Sequence, residues 1–139
     1  LGNLSGQKTT SKGMEKMKKS DKLKIDRIIA KIQKDFRQFG WEYTWGIDPK
    51  VEIEADIKID FTRKKAHISL KPPLPPRKKL IRIIAHEMMH TVIEPIWRGM
   101  SDWAWINMRP KTYETFAESV NTRENEVIEA LLDIMGYDY

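Results

Sequence analysis

Cysteine is absent from the 139-residue chain. That excludes disulfides and thiolate metal sites, so any metal must be held by histidine and carboxylate. Histidine is scarce, at three residues: His67, His86 and His90. No apolar run approaches the roughly 18 residues needed to span a membrane, and the N-terminus lacks the apolar stretch of a signal peptide. The expectation is a soluble cytoplasmic protein without a membrane partner. A basic face is missing too. Residues 1–24 carry seven lysines against Glu15 and Asp21, which is the whole net charge of +5; the remaining 18 basic residues are matched by 18 acidic ones. A neutral body argues against a nucleic-acid partner. The length suits one domain with a modest core.

What is present reads as α+β. Residues 1–20 are rich in Gly, Ser, Thr and Lys and are expected to form a disordered basic leader. Ile25, Ile28, Ile29, Ile32, Phe36 and Phe39 then repeat at helical spacing, which predicts a helix over 21–39 stopped by Gly40. Trp41–Ile47 reads as a short strand. From Val51 to Phe61 apolar residues alternate with Glu, Asp, Lys and Thr, as in a strand with one wet face. Ala66, Ile68 and Leu70 continue the alternation, and the two strands read as a hairpin. Lys71-Pro72-Pro73-Leu74-Pro75-Pro76 ends the sheet, because proline cannot donate to a ladder. A second helix is predicted from Arg77 to just before Pro95. Residues 96–112 read as irregular, with Trp97, Trp103 and Trp105 either lining a cleft or tying down a loop. A last helical region is expected over about 111–135, with a break at Asn121 as one option.

The informative segment is His86-Glu87-Met88-Met89-His90. Residues four apart share one helix face, so His86 and His90 can grip one ion, while Glu87 can reach a water on it. Leu80, Ile81, Ile84, Ala85, Met88, Val92 and Ile93 make this helix broadly apolar, hence buried. Buried imidazoles and a buried carboxylate need partners, and a divalent cation serves all three.

A catalytic zinc site takes three protein ligands and keeps one position open. His67 precedes the motif on the wet side of its strand and is a weak third candidate. The acids after the motif are Glu94, Asp102, Glu114, Glu118, Glu124, Glu126, Glu129 and Asp133. At about 100° per residue, Val127, Ile128, Leu131 and Met135 all fall within about 60° of Glu124. Glu124 therefore centres the apolar face of the last helix, whereas Glu126 points the opposite way and Glu129 lies to the side. A carboxylate on a buried stripe needs a counter-charge or a metal. The alternative for Glu124 is a capping box with Asn121 as N-cap.

HExxH followed by a glutamate on a later helix resembles the gluzincin branch of zincin metallopeptidases. The size and element order are most similar to the minigluzincins, and the resemblance covers about residues 21–139. It implies a zincin-like single domain: a small twisted sheet packed against the HExxH helix, with an N-terminal and a C-terminal helix. It also implies Zn2+ as cofactor, His86 and His90 as ligands, Glu87 as general base, and a downstream glutamate completing the site. The implied activity is hydrolysis of peptide bonds in a peptide or protein substrate by a zinc-bound water, as an endopeptidase rather than an exopeptidase. Asn125-Glu126 followed by Ala130 is similar to the pattern around the third ligand in larger gluzincins, so Glu126 stands beside Glu124 as a candidate. No His-x-x-Gly-x-x-His extension follows His90, unlike in metzincins. The family's edge strand runs along the substrate, and 66–70 is the strand expected to do so here; Tyr113 is the expected substrate-binding helper. Some minigluzincins are self-inhibited zymogens, and the leader or Tyr137-Asp138-Tyr139 would be the blocking or self-associating segment. The competing readings are a non-catalytic binding module stabilised by its metal and a DNA-associated protease of the SprT kind.

Overall fold

The computed structural model describes residues 17–137. It is a small α+β domain with three helices and one three-stranded sheet among the described residues. Most of the expected leader, residues 1–16, lies outside that range. The chain is already helical from Lys19, so a boundary at residue 20 falls inside the first helix.

Helix α1 spans Lys19–Asp35 and buries Ile25, Ile28, Ile29 and Ile32. It stops before Gly40. Arg37 adopts a positive φ of 55°, its N–H reaches the Lys34 carbonyl at 3.1 Å, and the Gln38 N–H reaches Gln33 at 3.0 Å. This is the double closure of a Schellman end, here made on arginine rather than glycine. The Gln33 side chain stays with the turn by donating to the Gln38 and Trp41 carbonyls. Phe39, expected on the buried stripe, is 71% exposed as a result.

The strands are β1 (Glu42–Ile47), β2 (Ala55–Asp60) and β3 (Lys65–Leu70). Their order is β1-β3-β2, with β1 parallel and β2 antiparallel to β3. The β2–β3 hairpin is as the alternation predicts. Two details differ. The long strand begins at Ala55, not Val51. Ala55 pairs with Leu70, the last residue of β3; the Lys71 N–H still reaches the Glu54 carbonyl at 3.0 Å, and beyond it the prolines offer no ladder for Val51–Ile53 to join. Strand β3 is also central, so residues 66–70 cannot be the edge that meets a substrate. The two edges belong to β1 and β2, and β2 is the edge strand that borders the motif helix.

Helix α2 runs Arg77–Asn107 straight through Pro95, and helix α3 runs Pro110–Ile134. The predicted stop at Pro95 and the irregular 96–112 segment are therefore corrected. Proline inside a helix costs about 3 kcal/mol. Packing on both sides outweighs it, because Ile93 and Ala104 are buried and Trp97 rests on the core. The real break is at Met108–Arg109, with Pro110 at the first position of α3, where its missing N–H costs nothing. Trp103 and Trp105 are 60% and 69% exposed; they form neither core nor cleft wall. Helix α3 continues unbroken past Asn121. No helix among the described residues is long and apolar enough to cross a membrane.

Ile25, Ile32, Ile68, Leu70, Ile84, Met88, Ile128 and Leu132 are the largest fully buried side chains. They come from α1, β3, α2 and α3, so the motif helix lies at the centre of the molecule. Arg82, one turn before the motif and 5% exposed, ties α2 to the end of α3. It meets Asp133 at 2.9 Å and Glu129 at 3.4 Å, and donates to the carbonyls of Glu129 and Tyr137. Removing one partner of a buried pair strands the other, but here both acids keep access to water. Arg82→Ala is therefore expected to cost about 2–4 kcal/mol, read as a lower urea midpoint with an unchanged slope.

Candidate metal centre

The i, i+4, i+8 spacing on α2 sets His86, His90 and Glu94 along one helix face. The imidazole rings of His86 and His90 are 5.2 Å apart between centroids and inclined by 71°. Helix α3 answers with two carboxylates. Its buried row is Val120, Glu124, Ile128 and Leu132, four apart throughout, and this row carries Glu124 into the interface. Glu124 Oε1 lies 3.2 Å from His90 Nδ1, and Glu129 Oε2 lies 3.1 Å from His86 Nδ1. Ligand atoms of His90, Glu94 and Glu124 all fall within 4.8 Å of one another, a group that could hold a metal ion.

The motif and Glu124 are thus brought together, with two adjustments. The tightest convergence includes Glu94, one turn after the motif, rather than His86. His86 turns its Nδ1 to Glu129 instead. A carboxylate on Nδ1 fixes the ring tautomer and leaves Nε2 as the nitrogen with a lone pair for a metal. Glu129, to the side of the Glu124 stripe, still reaches the interface because α3 meets α2 over a wide seam, from His90 back to Arg82. Glu126 is 61% exposed at its side chain and pairs with Arg123, away from the histidines. The capping alternative for Glu124 does not hold, since the helix begins eleven residues earlier at Arg109–Pro110 and Asn121 is interior.

Glu87 differs from its neighbours. It is 9% exposed, and no hydrogen bond or ion pair satisfies it among the described residues. It lies where two hollows meet between the free edge of β2 and α3. One, of about 390 Å3, is lined by Asp56, Ile57, Ile59, Glu87, His90, Glu94, Asn121, Glu124 and Asn125. The other, of about 420 Å3, is lined by Ile53, Glu54, Ala55, Arg82, Ile83, His86, Glu87 and Glu129. Burial, helped by the negative charge of Asp56, pushes the Glu87 carboxyl up to about 8. A carboxyl raised in the folded state binds a proton there that the unfolded chain has released. Its stabilising contribution is complete below about pH 4.5 and is lost as pH rises through about 8. For the metal-free protein, the stability of Glu87→Gln relative to wild type is therefore expected to grow across that window, by on the order of a few kcal/mol. Urea unfolding at pH 5 and pH 9 checks the sign.

Other expected residues lie elsewhere. His67 sits on the opposite face of the sheet, its Nδ1 2.8 Å from Thr44 Oγ1, and burial and Lys58 hold its pKa below the usual imidazole value. Tyr113 lies with its ring 5.1 Å from that of Trp105 and is not among the residues that line the two hollows. Tyr137 is buried against α1, with its ring edge-on to Phe36 and its hydroxyl donating to Asp35. That residue of the expected blocking tail is anchored away from the cleft; Asp138 and Tyr139 lie outside the described residues. Nothing in the local sequence pattern marks Tyr43. Its hydroxyl donates to Thr91 Oγ1 at 2.8 Å, and Thr91 in turn donates to the Met88 carbonyl at 2.6 Å, fastening β1 to the motif helix. The chain matches no protein-family model, no curated protein and no solved structure.

Proposed function

We propose that this protein is a zinc-dependent peptidase built on a zincin-like domain. The observation that carries the reading is the meeting of the two motif histidines with the α3 carboxylates beside a nine-tenths-buried, unpartnered Glu87. The donor set of imidazole and carboxylate without thiolate suits zinc in a catalytic rather than a closed structural site. His86, His90 and Glu124 would hold the ion, with Glu94 beside them and Glu129 orienting His86. When bound, zinc supplies a Lewis acid that polarises a carbonyl and makes water nucleophilic near neutral pH.

The chain's own groups do the rest. Glu87 is the residue to accept a proton from the attacking water and return it to the leaving amine, since its carboxyl is unpartnered and opens into both hollows beside the histidines. The unpaired backbone groups along the β2 edge can bind an extended chain by adding a strand. Ile57 and Ile59 flank that path. A zincin-like arrangement has these same parts, a motif helix beneath an edge strand, and the resemblance of the motif supports it. The test is zinc content by elemental analysis together with cleavage of unfolded casein by the zinc-loaded protein. A stoichiometric zinc ion with no cleavage of casein or of a mixed peptide library would refute the peptidase reading.

A second reading has a specific basis. The two imidazole–carboxylate pairs already join α2 to α3, so a metal there could serve only to hold the helices. In that case a chelator would lower the melting temperature and Glu87→Gln would change nothing measurable in any turnover assay.

A further inference from the structure

We infer that the hollow between helix α1 and the start of helix α2 is a binding site for a small organic anion with an apolar body, separate from the metal centre. The hollow measures about 320 Å3, toward the small end of the range for ligand pockets. It shares no lining residue with the two hollows at Glu87. Its floor is apolar: Ile28 and Ile32 of α1 and Tyr137 are buried, and Ile81 of α2 is half-buried. Its rim is cationic. Lys24, Arg27 and Lys31 stand at i, i+3 and i+7 on α1, hence on one face, and Arg77 joins them from the first turn of α2. No carboxylate is among the lining residues.

Most of this charge is not spent on the fold. Lys31 pairs with Asp35 at 3.0 Å, but the side chains of Lys24, Arg27 and Arg77 have neither an ion pair nor a hydrogen bond among the described residues. Arg77 also does nothing for its own helix. The first turn of α2 holds no acid and Pro76 gives it no side-chain cap, and a cation at that end opposes the helix dipole. An anion in the hollow reverses the balance, because it meets three unpaired cations at once. The floor separates an organic anion from a bare inorganic one. Its isoleucines and the Tyr137 ring offer inorganic phosphate nothing, whereas they take an apolar body out of water. The Tyr137 wall is set without a ligand: its ring lies edge-on to Phe36, its hydroxyl donates to Asp35, and its carbonyl accepts from Arg82. Counted along the sequence the body is neutral, yet the packing of α1 beside α2 gathers these cations over one apolar hollow.

The test is an amide NMR titration of the full chain with three probes: 2-naphthoate, its neutral counterpart 2-naphthalenemethanol, and inorganic phosphate. Naphthoate is expected to bind at least about tenfold more tightly than either of the others, with shifts confined to the α1 face around Lys24–Ile32, the first turns of α2 and Tyr137. The double variant Arg27→Gln, Arg77→Gln is expected to weaken naphthoate by at least about tenfold and to leave the alcohol unchanged. Both side chains are exposed and unpaired, so the amide spectrum away from the hollow should stay that of the wild type. Lys50→Gln, an exposed cation elsewhere, should bind naphthoate as the wild type does. No binding of naphthoate at millimolar concentration overturns the inference. So does equal binding of the alcohol or of phosphate, shifts centred on another part of the molecule, or wild-type affinity in the double variant.

Discussion

Glu87→Gln is expected to keep its zinc and to lose peptide hydrolysis by about 100- to 10,000-fold. The amide fills the same volume in the same cleft but cannot take a proton. Glu87 is not one of the groups that converge as ligands, so the ion should stay. The change also removes a buried carboxyl that favours its neutral form, so the variant folds at least as well as the wild type at alkaline pH. Lost activity then cannot be blamed on lost structure. Zinc content, melting temperature and initial rate on one preparation separate these effects. Retained hydrolysis at the wild-type rate would remove Glu87 from the chemistry.

The second large effect concerns the third ligand. Glu124→Ala is expected to weaken zinc binding by at least about 100-fold, beyond the 10- to 100-fold cost typical of an outer-shell partner. Glu126→Ala should change it by less than about threefold. The reason is position alone: the Glu124 side chain is 12% exposed and lies 3.2 Å from His90, whereas the Glu126 side chain is 61% exposed and pairs with Arg123. Glu129→Ala should fall between them, acting through the orientation of His86. Competition with a chromogenic chelator measures all three. Equal weakening in Glu124→Ala and Glu126→Ala would mean that α3 does not present the face seen here.

Much of this site is legible from local pattern, because helical geometry is local. The i, i+4 repeat places His86 and His90 together before any tertiary contact is known, and the apolar residues around Glu124 declare the inner face of α3. Glu94 is visible in the same way, four residues after His90, although the motif draws attention from it. Other features depend on partners distant in sequence. Glu129 is a plain helix glutamate until His86 and Arg82 are set opposite it. Strand β3 has the alternation of any half-buried strand, and nothing in it says that β1 pairs along its other side. The residues after Pro95 carry a helix-breaking signal that packing against α3 overrides.

By itself the sequence determined which side chains a metal could use: a cysteine-free chain with a histidine pair one turn apart and an acid beside it can offer only an imidazole–carboxylate site. It also settled the hairpin and the buried faces of the helices, since periodicity reports which side of an element leaves water. The tertiary structure alone decided which acids converge on the histidines, which strands lie at the edges of the sheet, and that Glu87 stands buried without a partner among the described residues. Those are relations between segments up to dozens of residues apart, and no window of local sequence contains both sides of them.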